Sequence, residues 1–206
     1  MINSKGCKFK IQDAFLELMT KNYLQRISVK EIIDEAGISR STYYRYYYEQ
    51  IEILYDIIDS FIQELARVTE DVGIPNVDPE QNALYSLFIQ EELQCYYEHA
   101  NILRKIFKNA EAAEILKDRI YNHFVECYDG WIEKARKEYP QLYGAGQFNH
   151  TIHRGFSFSG NYELIRNWIL TGCKEPASVL LEFLTTMGSS YPFFFNGSKK
   201  AQLIEL

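Results

Sequence analysis

Five tyrosines fall within twelve positions of one short stretch, SRSTYYRYYYEQ at residues 39–50. They are interleaved with hydroxyl and guanidinium side chains, which are the groups that bind phosphate oxygens and base edges in complexes with DNA. Aromatic residues at this density are normally buried in a folded protein. The stretch therefore indicates a core segment, a ligand-binding wall or a surface that contacts DNA, and its spacing must decide among them.

Signals for the start and end of helices surround this stretch. Ser28 is followed three residues later by Glu31, which is the pattern of a capping box. Gly37 can adopt the left-handed conformation of a tight turn between helices. Ser39 is then suited to cap a second helix. Residues 28–47 therefore predict a helix-turn-helix, a motif that can place its second helix in the major groove of DNA.

The helical period divides the residues of this second helix between two faces. Tyr43 and Tyr47 are four residues apart and are expected to pack inward on the two preceding helices. Arg40 and Tyr44 share an outward face, where arginine can pair with phosphate or read guanine and a phenolic hydroxyl can donate to phosphate. The alternative is an ordinary helical hairpin with solvated arginines. The predicted DNA-contacting residues are Ser28, Ser39, Arg40, Ser41, Thr42, Tyr44, Arg45 and Tyr46.

The charge of the chain is distributed unevenly. The net charge of the 206 residues is −6, but residues 1–50 carry eight Lys and Arg against six Asp and Glu, so this part is +2 and the remainder is −8. A basic module on an acidic body is typical of a local phosphate-binding surface. The sequence has no apolar run of the ~18 residues that span a membrane and no apolar signal-peptide core. We therefore expect a cytoplasmic protein without a membrane partner.

Apolar periodicity predicts helix along nearly the whole chain, with no strand and no internal repeat. Hydrophobic residues form 47% of the sequence, which is enough for a core. The four cysteines are far apart and predict neither a disulfide framework nor a metal site, so they are expected to be reduced core residues, with a redox sensor as the alternative. The predicted helices span residues 8–22, 29–36, 40–47, 51–71, 80–99, 101–108, 111–138, 148–171 and 176–188.

The run IIDEAGISRSTYYRYY at 32–47, followed by Ile53 and Leu54, resembles the DNA-binding domain of the TetR/AcrR family of bacterial transcriptional regulators. The segment AFLEL at 14–18 is similar to the first helix of that domain. The resemblance implies an all-α homodimer with a three-helix DNA-binding head at 1–48 and a six-helix effector-binding and dimerisation body at 49–206. It also implies that the DNA-facing positions are those of Ser28, Arg40, Thr42, Tyr44, Arg45 and Tyr46.

The segment FSFSGNYELIRNWILTG at 156–172 is similar to the C-terminal region of one TetR subgroup, which includes a dihydroxyacetone kinase operon activator. This resemblance implies that the last two helices form a four-helix bundle in the dimer. Small residues there allow close helix approach, and Trp168 offers a large apolar anchor; the alternative is that Trp168 belongs to the core of one subunit. The interface residues expected are Ser157, Gly160, Leu164, Trp168, Leu180 and Leu184.

Aromatic residues of the body are candidates for an effector cavity, because rings with a polar tip suit a flat or hydroxylated ligand. Each of them is also compatible with plain core. His150 and His153 are three residues apart, but no nearby Cys or carboxylate completes a metal set, so no metal and no cofactor are predicted. The candidate cavity residues are Phe88, Tyr96, Phe107, Tyr121, Phe124, Tyr128 and Phe156.

The sequence thus favours a transcriptional regulator, with repression expected, that binds a palindromic operator in double-stranded DNA as a homodimer and responds to a small-molecule effector. The alternative is a related activator that is controlled by a partner protein. A non-DNA-binding helical protein or an enzyme is the remote alternative. No nucleophile–base pair, phosphate-binding glycine loop or paired carboxylates form a motif, so no enzymatic activity is predicted.

Overall fold

The computed structural model describes residues 4–72, 82–138, 140 and 150–195, without the side chains of 187–195 and of some residues beside the gaps. All regular structure in these ranges is helical, which confirms the predicted fold class. A 3₁₀ turn lies at Leu24–Arg26. The α-helices are α1 Ser4–Met19, α2 Val29–Ala36, α3 Arg40–Tyr43, α4 Gln50–Val72, α5 Asn82–Glu98, α6 Ala100–Phe107, α7 Ala110–Glu138, α8 His150–Leu170 and α9 Ala177–Phe195.

The first three helices close around a small apolar core. Phe15 and Ile11 of α1, Ile32 of α2 and Tyr43 of α3 are each completely inaccessible to solvent. The capping box that begins α2 is present, and Gly37 ends α2 with a φ of 62° in the left-handed region. The predicted helix-turn-helix is therefore formed, with its starts and its turn at the predicted residues.

The second helix of this motif is shorter than the predicted 40–47. After one α-helical turn, the backbone tightens, because Tyr46 N–H donates to the carbonyl of Tyr43 (2.9 Å) rather than to that of the residue four positions before it. Aromatic residues lose rotamer freedom in an α-helix, and this run contains several in succession. The carboxylate of Glu52 then accepts from the N–H of Tyr48 (2.7 Å) and so caps the start of α4.

Helix α4 continues from the head core into the body. Ile53 and Leu54 pack in the head core, whereas Phe61 and Leu65 are buried farther along the same helix. In the body, α5 packs against α4 and α9, α7 packs against α4, and α8 packs against α6 and α7. Within the described ranges, no helix is sufficiently long and apolar to cross a membrane.

A buried asparagine joins the body to the head. The side-chain amide of Asn109 donates to the carbonyls of Met19 (3.1 Å) and Asn22 (3.0 Å) at the end of α1. Its side-chain oxygen accepts from the N–H of Ala112 (3.1 Å), which caps α7. Next to it, Lys105 of α6 pairs with Glu17 of α1 at 2.7 Å. The end of α1 and the start of α7 are therefore held at a fixed separation.

Candidate nucleic-acid interface

The residues of α3 and the turn after it are divided between the core and the surface. Tyr43 and Tyr47 are buried, with 0% and 4% of their surface exposed. Arg40, Tyr44 and Arg45 are exposed, as is Ser41. Burial therefore follows the division that the helical spacing predicts, even though most of the segment is not α-helical.

The two buried tyrosines are held in different ways. Tyr43 packs edge-on against Tyr44 with ring centroids 5.4 Å apart. Its hydroxyl is buried without a hydrogen-bond partner, and burial raises the pKa of this phenol to about 12. The hydroxyl of Tyr47 donates to the Oδ2 atom of Asp56 on α4 at 2.6 Å. Burial and this carboxylate both raise the pKa of Tyr47.

Asp56 is the centre of a polar cluster that joins three segments. Besides the Tyr47 hydroxyl, its carboxylate accepts from Lys8 Nζ (2.9 Å) and from Gln12 Nε2 (2.8 Å), both on α1. Burial raises the pKa of Asp56, but the hydrogen bonds from Lys8 and Tyr47 outweigh it, so this pKa lies below its ordinary value. The ionised carboxylate fixes the turn after α3 to both α1 and α4.

The outward cations of this segment are not neutralised by carboxylates. In the described ranges, neither Arg40 nor Arg45 forms a salt bridge with Asp or Glu. The guanidinium of Arg40 lies 5.6 Å from the centroid of the Tyr44 ring, and its Nη2 atom is 3.4 Å from the Tyr44 hydroxyl. This contact orients Arg40 along the exposed Tyr44 ring without removing its charge.

Two of the predicted hydroxyl groups are occupied by helix caps. The Ser28 hydroxyl donates to the carboxylate of Glu31 (2.7 Å) and accepts from its N–H, so its proton is not free for a phosphate. Its backbone and side-chain hydrogen bonds lower the pKa of Glu31, so a negative charge stays beside Ser28. The Ser39 hydroxyl accepts from the N–H of Thr42 (3.2 Å) and lies 3.0 Å from the hydroxyl of Ser41.

The remaining predicted residues are less accessible than expected. Thr42 is half-buried, and Tyr46 is half-buried against the head core. Tyr48, which shares the predicted outward face, is instead 76% exposed. Sequence reasoning did not identify Asp56 as the residue that orients Tyr47. The available signal was a single acid beside apolar positions of α4, which is weak because such residues also occur on solvated faces.

Comparisons with known proteins follow from this geometry. The structure resembles a TetR-family regulator of Syntrophomonas wolfei (TM-score 0.66, 12% identity, 93% of this chain and 97% of that one). It also resembles an AcrR-family regulator of Aquifex aeolicus VF5 (TM-score 0.60, 17% identity, 90% and 99%). A third similar structure is the fatty acid degradation regulator FadR of Bacillus halodurans (TM-score 0.60, 14% identity, 89% and 94%).

No family model matches the sequence. The chain is 30% identical over 172 residues to the HTH-type dhaKLM operon transcriptional activator DhaS of Lactococcus lactis subsp. lactis (strain IL1403), which covers 80% of this chain and 89% of that protein. The chain belongs to the TetR/AcrR family of transcriptional regulators. In this family member, residues 28–48 with their exposed arginines are the candidate DNA-reading segment.

The aromatic residues that were predicted to line a cavity of this TetR-type body do not form one group. Phe124 contacts Tyr128 (5.6 Å) and Phe158 (5.5 Å), and Tyr121 contacts Phe158 (4.9 Å), so these rings pack on one another between α7 and α8. Phe158, which was not predicted, lies at the centre of this cluster. Of the others, Tyr96 and Phe107 are buried, Phe88 is half-buried, and Phe156 is exposed on the outer face of α8.

A surface cavity of about 440 Å³ contains none of these predicted residues. It is lined by Asp129, Ile132, Glu133, Arg136 and Arg154. Arg154 and Asp129 pair within it at 3.3 Å. Its walls are mostly charged, in contrast to the aromatic walls that were expected of an effector cavity.

Most residues that were predicted to form the dimer interface are already buried within one chain. Trp168 stacks on Tyr97 with centroids 6.1 Å apart, and its Nε1–H donates to the carbonyl of Glu175 (2.8 Å). The alternative interpretation, in which Trp168 belongs to the core of one subunit, is therefore the one that the structure has. Four of the six expected residues are buried, Leu164 is half-buried and Gly160 is exposed; the buried ones are Ser157, Trp168, Leu180 and Leu184.

The cysteines and histidines complete the comparison with the predictions. Cys7, Cys95, Cys127 and Cys173 are free, as predicted, with the first two buried. The side chains of His150 and His153 lie outside the described residues. In the part of the chain that the structure describes, no group of three or more His, Cys, Asp or Glu residues could hold a metal ion.

Proposed function

We propose that this TetR-family protein binds double-stranded DNA through residues 28–48. The observation that supports it most directly is the exposure of Arg40 and Arg45 on a capped helix-turn-helix whose other face is anchored by Tyr43 and Tyr47. Unpaired guanidinium groups on a rigid backbone can bind phosphates or guanine edges without first breaking an internal salt bridge.

The outward residues divide into two roles in this proposal. Arg45 and Ser41 lie where a small residue and a long cation can approach base edges together. The hydroxyl of Tyr44 donates to a phosphate oxygen and fixes the register of the segment on DNA. Ser28 contributes through its backbone position, since its hydroxyl is already used by Glu31.

We further propose that the protein acts as a homodimer on a palindromic operator. Ile152 and Phe156 are exposed on α8, four residues apart, and Val179 and Phe183 are exposed on α9 with the same spacing. Two apolar stripes on the last two helices are suited to a bundle with a second copy. Two heads related by a two-fold axis would read half-sites about 34–36 Å apart.

The sign of regulation is proposed from the relative. The Lactococcus lactis protein is named as an activator of a dhaKLM operon, and this favours activation over the repression that the sequence alone led us to expect. An effector, either a small molecule in the body or a partner protein, would act by binding one dimer geometry more tightly than another.

The DNA-binding proposal is tested with genomic fragments retained by the purified protein, whose common sequence then serves in a fluorescence anisotropy titration. Arg45→Ala is expected to weaken binding to this operator about tenfold or more, since one bidentate base contact contributes about 1–3 kcal/mol. Arg67→Ala, which removes an exposed arginine of α4 in the body, is the control. Absence of salt-sensitive retention of any fragment would contradict the proposal.

The dimer is tested by light scattering on the eluting protein. Phe156→Asp and Phe183→Asp are expected to convert the dimer to monomer, because each places a charge in an apolar interface. Phe9→Asp changes an equally exposed phenylalanine of α1 (65%, against 59% for Phe156) and is expected to leave the dimer intact. A monomeric wild-type protein, or a dimer that survives both substitutions, would exclude this interface.

A further inference from the structure

One carboxyl group of the body lacks the partner that such a group normally has. Glu92 lies on α5 and is half-buried. In the described ranges it forms no hydrogen bond and no ion pair. Burial alone raises the pKa of its carboxyl to about 7, with no cation nearby to lower it. A carboxyl that is buried, accessible and unpaired is costly to keep unless something binds to it.

The groups around Glu92 form a wall from three helices. Tyr96 lies one helical turn farther along α5, and Phe61 of α4 packs edge-on against its ring at 5.3 Å. Cys127 of α7 lies opposite, with its Sγ atom 3.6 Å from Thr69 Oγ1 on α4. The charge of Glu92 is close enough to raise the pKa of both the Tyr96 phenol and the Cys127 thiol, in addition to the effect of burial.

The same surroundings contain no positive charge that would neutralise Glu92. His123 of α7 is 3.7 Å from Cys127, and burial lowers the pKa of its imidazole, which favours the neutral form. The other ionisable groups that act on this cluster are acids or weak acids. They are Glu64 of α4, Cys95 and Glu98 of α5, Glu126 of α7 and Tyr162 of α8.

We propose that the face of α5 that carries Glu92 and Tyr96, opposite Thr69 and Cys127, binds a small organic cation with apolar surface. The Glu92 carboxylate is the counter-ion, and the rings of Tyr96 and Phe61 supply an aromatic wall for the cation. This inference rests on the proposed function, because it gives the chemical class of the effector.

The test uses probes of matched shape and opposite charge. Tetraphenylphosphonium and the smaller benzyltrimethylammonium are titrated into the full-length protein at pH 8 by calorimetry, with tetraphenylborate as the anionic match. We expect at least one cation to bind with a Kd below about 1 mM and the anion to bind at least about tenfold more weakly. Absence of binding by both cations, or equal binding of the borate, would overturn the proposal.

Substitutions identify the carboxylate that is responsible. Glu92→Gln keeps the shape and is expected to weaken cation binding about tenfold or more, whereas Glu91→Gln, one position away on the same helix, is expected to leave it unchanged. Because the probes carry a permanent charge, their affinity for wild type should fall between pH 8 and pH 6, as Glu92 takes up a proton. Equal affinity in Glu92→Gln, or no pH dependence in wild type, would overturn the assignment.

Failure of this inference is distinguishable from failure of the proposed function. The same preparations are assayed for operator binding with and without the cation. Operator binding without any cation binding would remove only the ligand site. Cation binding that leaves the operator affinity unchanged would remove its assignment as the effector site. Absence of operator binding would instead contradict the proposed function itself.

Discussion

At the scale of single residues, the same amino acid serves several purposes within six positions. Tyr43 fills the head core and leaves its hydroxyl unpaired, Tyr47 donates to Asp56, and Tyr44 presents its ring and hydroxyl to solvent. Removing only the hydroxyl from each therefore tests three different physical contributions. The rings remain, so packing is nearly constant across the series.

Tyr43→Phe and Tyr47→Phe are expected to have opposite effects on the free energy of unfolding. The first removes a buried hydroxyl without a partner and should leave stability unchanged or raise it by up to about 1 kcal/mol. The second removes a short hydrogen bond to a carboxylate and should lower stability by about 1–3 kcal/mol. Urea unfolding of both variants measures this difference, and the reverse order would show that the two environments are assigned wrongly.

Tyr44→Phe is expected to weaken operator binding several-fold with little change in the melting temperature. The lost hydroxyl makes only a long contact with Arg40 (3.4 Å) in the free protein, so its main contribution is to DNA. Tyr48→Phe is a matched control for a lost exposed hydroxyl. A lower melting temperature in Tyr44→Phe at unchanged operator affinity would mean that Tyr44 has a structural role.

At the scale of elements, local signals predicted where helices begin more accurately than how far they extend. Ser28, Ser39 and Gly37 specify caps and a turn through hydrogen bonds between near neighbours, and these are present. The shortening of α3 depends on Glu52, which captures the N–H of Tyr48 from beyond the turn. Competition between a helix and the cap of the next helix is not visible in helical periodicity.

The candidate site was predictable to the extent that it depends on periodicity. The inward and outward tyrosines follow from spacing alone. Asp56 and Asn109 were not identified, because each acts on residues far away in sequence, 48 positions for Lys8 and 90 for Met19. Trp168 was ambiguous for the same reason, since one apolar ring fits a core and an interface equally well until its neighbours are known.

Asn109→Ala is expected to lower the free energy of unfolding by about 2–3 kcal/mol. It leaves the carbonyls of Met19 and Asn22 without their donor and the start of α7 without its cap. Asn101→Ala, at an exposed position of α6, is the control and should change stability by less than about 0.5 kcal/mol. Equal effects in calorimetry would mean that Asn109 does not join α1 to α7.

At the scale of the whole molecule, Glu92 predicts how stability depends on pH. Its folded-state pKa of about 7 lies above the model value of 4.5, so the folded state holds the proton more tightly than the unfolded state. The contribution of Glu92 is therefore fully present below about pH 4.5 and is lost as pH rises through about 7.

Relative to Glu92→Gln, the wild type should lose about 1–3 kcal/mol of stability between pH 5 and pH 8. Denaturant unfolding of both proteins across this range measures the difference. Glu91→Gln is the control, and its difference from wild type should stay nearly constant with pH. A constant difference for Glu92→Gln as well would show that Glu92 is solvated like an ordinary surface acid.

The carboxylate of Asp56 has a consequence for any chimera that transplants this DNA reader onto another sensor. Asp56 lies beyond the expected head boundary at residue 48, yet it neutralises Lys8 and holds Tyr47. Ile53 and Leu54, which fill the head core, would also be left behind by a splice at that boundary. A graft that keeps its shape therefore needs to carry the first turns of α4 with it, at least through Ile58.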